Sequence, residues 1–203
     1  MLYNIRNLLG AKALYVEIGV WKGGTSYFMA RHPLQTRVIG IDPFELPYQK
    51  DDAGAFKQAM DPENNVTWIA ERSTSPKAKS ALVQLLQGGK VDMLFIDGDH
   101  RRPAVISDFY TYGPLVAKGG FIVFDDYLDF VYSAAVSSVL LEFTCGIFYT
   151  RPECFLVYGT LPNYSGAGIL FNPQQNYFAW GDQSSNEFVV QVLSSDSDRC
   201  FQR

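Results

Sequence analysis

Leu14-Tyr15-Val16-Glu17-Ile18 runs directly into Gly19-Val20-Trp21-Lys22-Gly23-Gly24 and then into Thr25-Ser26-Tyr27-Phe28-Met29-Ala30-Arg31. A short apolar run, a glycine turn and an amphipathic segment in that order read as a buried strand, a tight loop and a helix. The same alternation recurs along the chain. Arg37 to Asp42, Val66 to Ala70, Val91 to Ile96 and Phe121 to Phe124 read as further strands. Between them, Asp52 to Met60, Pro76 to Leu86 and Pro103 to Val116 read as helices, the last stopped by Lys118-Gly119-Gly120. Phe130 to Leu141 is a last helix and Cys154 to Tyr158 a closing strand. Strands that are apolar on both faces and separated by helices imply parallel crossovers. The expected fold is therefore an α/β, doubly wound, mostly parallel sheet with helices on both faces.

The composition agrees with one domain. The chain has 203 residues, 47% hydrophobic and 19% charged, enough to bury a core and too apolar for disorder. Its 17 Lys+Arg stand against 21 Asp+Glu, a net charge of -4, which argues against nucleic-acid binding by bulk positive charge and leaves a local basic patch open. No apolar run approaches the ~20 residues of a membrane span, and Arg6, Lys12 and Glu17 interrupt any secretory signal. Cys145, Cys154 and Cys200 have no metal-ligand spacing and read as free thiols of a reducing compartment. A cytoplasmic protein is expected, with no nucleic-acid and no membrane partner. After Thr160 the chain becomes rich in Ser, Asn, Gln and Gly with interleaved aromatics. Gly168 to Phe171 and Tyr177 to Trp180 read as a β-hairpin around Asn172 to Asn176, Glu187 to Leu193 as a third strand, and Ser194 to Arg203 as a loose end. Residues 1–159 are thus read as the catalytic-type domain, and 160–203 as a hairpin or meander tail that offers a contact for a homodimer.

Ligands of an open α/β sheet bind at the carboxyl ends of its strands. After the first strand, Gly19 and Gly23 let the backbone turn tightly beside a ligand. The Gly-x-x-x-Gly-Gly spacing differs from the Gly-x-Gly-x-x-Gly of dinucleotide binders, and the acidic Glu17 repels a pyrophosphate while suiting a cationic ligand. Asp42 follows the second strand, about 20 residues beyond the glycine loop, where a carboxylate can accept from ribose hydroxyls. Ser73, in Glu71-Arg72-Ser73 after the third strand, borders an adenine ring or is plain loop. Ile96-Asp97-Gly98-Asp99-His100-Arg101-Arg102 and Asp125-Asp126 follow the fourth and fifth strands. If those strands are neighbours, carboxylates and a histidine converge on one edge, and a hard divalent cation is the natural neutraliser. Asp97 ordering a loop, Asp125-Asp126 capping a helix and His100 lying on the surface are the structural alternatives. Arg101 and Arg102 are a solvated pair or a grip on an anionic substrate; Trp21 packs or walls the cleft.

Together, Glu17-x-Gly19-x-x-x-Gly23, Asp42, Ile96-Asp97-Gly98-Asp99-His100 and Phe124-Asp125-Asp126-Tyr127 resemble class I S-adenosylmethionine-dependent methyltransferases. More narrowly, they are similar to the metal-dependent O-methyltransferases of the bacterial branch that modifies natural-product sugars. The resemblance spans about residues 12–160. It implies a Rossmann-like sheet of seven strands, the last antiparallel. It further implies S-adenosylmethionine in a cleft formed by Glu17, Gly19 and Gly23, its ribose on Asp42 and Ser73 nearby, and Mg2+ on Asp97, Asp125 and Asp126. His100 matches the family's proton acceptor, so Asp97 and His100 are the expected catalytic pair acting on a hydroxyl of a small-molecule substrate. The catechol and caffeoyl branch tends to carry lysine and Asp-Asn where this chain has His100 and Asp125-Asp126. Two features depart from the family: only thirteen residues precede the first strand, where relatives carry a helical cover, and the tail from Thr160 matches none of it. Other readings of the same residues are a non-catalytic S-adenosylmethionine-binding module, a nicotinamide-dependent oxidoreductase and a metal-dependent hydrolase.

Overall fold

The structure is a computed structural model that describes residues 2–45, 65–127, 129, 131, 133–162, 168–172, 177–178 and 187–202. Helix α1 is Leu2–Asn7, followed by strand β1 (Leu14–Ile18), helix α2 (Gly24–Ala30), β2 (Arg37–Ile41), β3 (Val66–Ile69), α3 (Pro76–Leu86), β4 (Val91–Ile96) and α4 (Arg102–Tyr112). Strand β5 (Val116–Phe124), α5 (Ala134–Phe143), β6 (Phe155–Pro162), β7 (Gly168–Asn172), β8 (Tyr177–Phe178), β9 (Phe188–Val192) and α6 (Ser197–Cys200) complete it. The helix expected over Asp52 to Met60 lies outside the described residues.

The sheet order is β3-β2-β1-β4-β5-β9-β6-β7-β8. The first five strands are parallel, whereas β9 is antiparallel to both β5 and β6. This is the seven-stranded, mostly parallel sheet that the sequence leads one to expect, widened by β7 and β8. Successive β1 side chains face opposite ways, as the two-residue strand period requires. Val16 and Ile18 join the core with Leu82, Val105, Phe109 and Val139, while Tyr15 joins Ile5, Met29, Met93 and Val123. Helices therefore cover both faces.

Three details differ from the sequence reading. The helix after β4 ends at Tyr112, and Gly113–Leu115 form a 3-10 turn before β5. Pro114 lacks the N–H that another α-helical turn needs, so Lys118-Gly119-Gly120 fall inside β5, with Gly119 at φ 86 and the register to β4 shifted. The 187–193 segment is a strand, but its partners are β5 and β6: Val189 and Val190 are buried within the main sheet. A pattern of apolar residues identifies a strand without naming its neighbours.

The cysteine reading is corrected. Cys154 and Cys200 form a disulfide with Cα atoms 5.5 Å apart, and Cys145 is the free thiol. The two lie 46 residues apart, so no local spacing signals the pair, which exists because the end of the chain packs against the start of β6. The loose end expected at Ser194 to Arg203 is likewise docked over 196–202. Arg151 donates to the carbonyls of Cys200 and Gln202, both at 2.9 Å, and the Phe201 ring packs 5.2 Å from those of Phe109 and Phe155. No described helix is long and apolar enough to cross a membrane.

Candidate active site

The strand ends bring the candidate residues into one row. Each parallel ladder extends one bond past its strand. The N–H of Gly19 donates to Ile41 C=O (2.9 Å), that of Asp42 to Ile69 C=O (3.2 Å), that of Asp97 to Ile18 C=O (2.9 Å) and that of Asp125 to Ile96 C=O (3.1 Å). The first loop residue after β1, β2, β4 and β5 is thereby stapled to the neighbouring strand, and Gly19, Asp42, Asp97 and Asp125 line up along the carboxyl edge of the sheet.

A cavity of about 660 Å³ opens above this row, lined by Gly19, Asp42, Ser73, Asp97, Gly98 and Ser107 among others. Gly19 has φ 87, and a Cβ on it would stand 2.0 Å from the backbone oxygen of Asp97. Only glycine permits so close an approach of the β1 and β4 loops. Asp42 is 6% exposed. Its Oδ2 accepts from the N–H groups of Val20 and Trp21, each at 3.0 Å, and its Oδ1 from Phe44 at 2.7 Å. Asp42 thus shapes the glycine loop while lining the cavity. At the mouth, Arg72 pairs with Glu45 and Arg101 with Asp99, both pairs solvent-exposed.

Glu17 and Gly23 lie behind the lining. Gly23, at φ 85, is the N-cap of α2. Glu17 is 1% exposed and accepts a hydrogen bond from the Ser26 hydroxyl of α2. Burial pushes its carboxyl up to about 8, against the hydrogen bond from Ser26, with Asp97 adding repulsion. The folded carboxyl stays protonated up to about pH 8 while the unfolded one ionises near its ordinary ~4.3, so stability present at low pH is lost as pH rises through that window. Stability of the metal-free protein is expected to fall, and its melting temperature with it, as pH rises from about 5 to about 8, and Glu17→Gln to flatten that fall in stability by an amount on the order of a few kcal/mol. Identical pH profiles for the two proteins in differential scanning fluorimetry would refute it.

The second half of the site sits beside the cavity, with Asp97 common to both. His100 Nε2 lies 3.5 Å from Asp97 Oδ1, and its Nδ1 lies 3.3 Å from Asp126 Oδ2. Ser133, 1% exposed just before α5, places its hydroxyl 2.8 Å from His100 Nδ1 and donates to Asp126 Oδ2 at 3.1 Å. Asp126 holds this position at φ 57, a left-handed conformation that Asp tolerates. Its N–H donates to Asp125 Oδ1 at 2.9 Å. The ligand atoms of Asp97, His100 and Asp126 all fall within 4.8 Å of one another. The compact trio therefore contains His100 where the sequence reading has Asp125. Burial raises the pKa of Asp97, against its hydrogen bond to His100, and pushes Asp125 up to about 7. The hydrogen bond to Asp97 raises that of His100.

Sequence reasoning passed over Ser133 and Asp108. Ser133 precedes an apolar run and looks like a helix cap, yet it makes no capping bond and serves His100 instead. Asp108 was detectable. Ala104, Val105, Asp108, Phe109 and Tyr112 are the buried face of α4, and a lone acid on an apolar helical stripe is a signal in itself.

Comparisons with known proteins bear on the family and the fold. A methyltransferase-domain family model matches residues 16–127. The mimivirus protein R132, from Acanthamoeba polyphaga mimivirus, is 33% identical over 183 residues, 88% of this chain and 79% of its own. Among solved structures, a putative rRNA-methylase from Clostridium thermocellum superposes with a TM-score of 0.64 at 14% identity, over 94% of this chain and 92% of its own. TomG from Streptomyces achromogenes, an O-methyltransferase of tomaymycin synthesis solved with S-adenosylmethionine, gives 0.62 at 17%, over 95% and 78%. MycE of the mycinamycin pathway, solved with Mg and S-adenosylhomocysteine, gives 0.59 at 17%, over 96% and 47%. At such identities these structures share the fold. With its carboxyl-edge cavity and a family match over more than half its length, the chain belongs to the methyltransferase-domain family and is a class I S-adenosylmethionine-dependent methyltransferase.

Proposed function

We propose that the chain is a Mg2+-dependent O-methyltransferase that acts on a hydroxyl of a small, sugar-like or natural-product-like molecule. The observation that carries this reading is the Asp97–His100–Asp126 cluster, which shares Asp97 with the cofactor cavity. The donor set fits a hard cation. It consists of the carboxylate oxygens of Asp97, Asp125 and Asp126 at the sheet edge, with the His100 imidazole beside them as a base, and burial raises the pKa of Asp97 and Asp125, as expected of crowded acids. Asp97, Asp125 and Asp126 would hold Mg2+, which when bound lowers the pKa of a substrate hydroxyl and orients it. The MycE structure with Mg and the TomG assignment as an O-methyltransferase support the same reading.

The remaining work falls to the chain itself. Gly19 and Asp42 shape the pocket for the methionine and ribose parts of the cofactor, and Ser73 borders its adenine. S-adenosylmethionine, when bound, would supply the activated methyl group, which would pass from its sulfur to the substrate oxygen; the chain's part is to hold that oxygen close to it. The hydroxyl proton goes to His100. Ser133 has one hydroxyl proton, which it gives to Asp126, so its oxygen is free to accept from Nδ1–H. That arrangement leaves Nε2 as the basic nitrogen.

The test is methyl transfer from S-adenosylmethionine to a panel of glycosides and polyhydroxylated aromatics, read as S-adenosylhomocysteine release and by mass spectrometry of the product. Turnover is expected to vanish in EDTA and return with Mg2+. His100→Ala is expected to lower turnover by about 10²-fold or more with S-adenosylhomocysteine binding unchanged. Full activity in EDTA would remove the metal from the mechanism, and a methyl group found on nitrogen or carbon would remove the oxygen.

A further inference from the structure

Asp108 is a buried acid that none of the chemistry above uses. It sits on the inner face of α4 at 1% exposure, and among the described residues neither carboxylate oxygen has a hydrogen-bond partner of good geometry. Such a group is costly to keep, so its retention asks for a reason. Its surroundings suggest one. On one side it lies under the β4 loop: a Cβ built on Gly98 would be 3.8 Å from Asp108 Oδ2. Gly98, Ala104 and Ser107 form the cavity wall immediately in front of it. On the other side it faces the hydroxyl of Ser73, which favours its ionised form, while burial and the charge of Asp99 push the carboxyl up to about 7. One turn further along α4, the Tyr112 hydroxyl donates to the Ser73 carbonyl at 2.6 Å. Helix α4 thus reaches Ser73 at two points: Tyr112 holds its backbone, and Asp108 stands next to its side chain.

We propose that Asp108 is a positioning residue for the cofactor, holding the Ser73 hydroxyl from one layer behind the cavity wall so that it meets the adenine end of the ligand. This rests on the reading of the cavity as the S-adenosylmethionine cleft with Ser73 on its adenine side. A bound ligand that contacts the Ser73 hydroxyl locks it against the carboxyl group. The orphaned oxygens then gain a partner, and Ser73 loses its freedom to rotate.

The experiment is isothermal titration of S-adenosylhomocysteine into the full chain as wild type, Asp108→Ala, Asp108→Asn, Ser73→Ala and the Asp108→Ala/Ser73→Ala double variant. Asp108→Ala is expected to weaken binding about tenfold, Asp108→Asn to recover most of that loss, and Asp108→Ala to cost nothing further once Ser73 is alanine. A Kd within twofold of wild type for Asp108→Ala would overturn the proposal. So would an equal loss in both Ser73 backgrounds, because Asp108 would then be shaping the helix alone. Should Asp108→Ala fail to fold, Asp108→Leu, close in size and without polar atoms, takes its place in the cycle. A wild-type protein that does not bind S-adenosylhomocysteine would instead bring down the cleft assignment, and this proposal with it.

Discussion

Gly19→Ala is expected to destabilise the protein by about 3 kcal/mol or more and to abolish cofactor binding. Two costs combine. The residue sits at φ 87, a conformation that strains any side chain, and its new methyl would stand 2.0 Å from the Asp97 carbonyl oxygen and 2.8 Å from the Gly98 Cα. Those are backbone atoms, so no rotamer change relieves the overlap. The β1 and β4 loops would have to separate, and that would break the bond from Asp97 N–H to Ile18 C=O that sets Asp97 at the sheet edge. For a chain of this size a loss of that order corresponds to a drop in melting temperature of roughly 6–12 °C. A variant that melts with the wild type and binds S-adenosylhomocysteine normally would show that the two loops do not depend on this contact.

Asp97→Asn is expected to lower turnover by about 10³-fold or more while leaving the S-adenosylhomocysteine Kd within about threefold. The substitution keeps the shape and removes the charge. Asp97 is the one acid that both lines the cavity and belongs to the cluster, so it acts where the two reactants meet. Without its charge His100 loses the partner that raises its basicity, and a cation loses a donor that its neighbours do not replace. Its N–H is unchanged, so the staple to β1 survives and the cleft stays formed. A fall in cofactor affinity equal to the fall in turnover would reassign Asp97 to cofactor binding alone.

Much of this arrangement is legible in the residues. Ile96-Asp97 and Phe124-Asp125 each end an apolar run in an acid, and in a parallel sheet such ends share one edge, so Asp97 and Asp125 could be brought together before any coordinates. Gly19 was legible for the same reason: a glycine directly after a buried strand has few roles besides a tight turn. The placement of Glu17 was not. A buried strand has two faces, and the sequence does not say that the Glu17 carboxyl turns toward Ser26 of α2 and away from the cavity. Ser133 was hidden because its bond to His100 spans 33 residues, a contact made only once α5 packs beside the β4 loop.

The amino-acid sequence by itself determined the alternation of strand and helix, the parallel sheet and the row of acids and glycines at its carboxyl edge, because periodicity and turn chemistry are local. Only the tertiary structure decided which strand neighbours which. It inserted Phe188–Val192 between β5 and β6, bound Cys200 to Cys154, and placed Asp108 under Gly98 of the β4 loop. Each of these joins residues far apart in the chain, and such a pairing depends on the packing of whole elements, which no short stretch of sequence encodes.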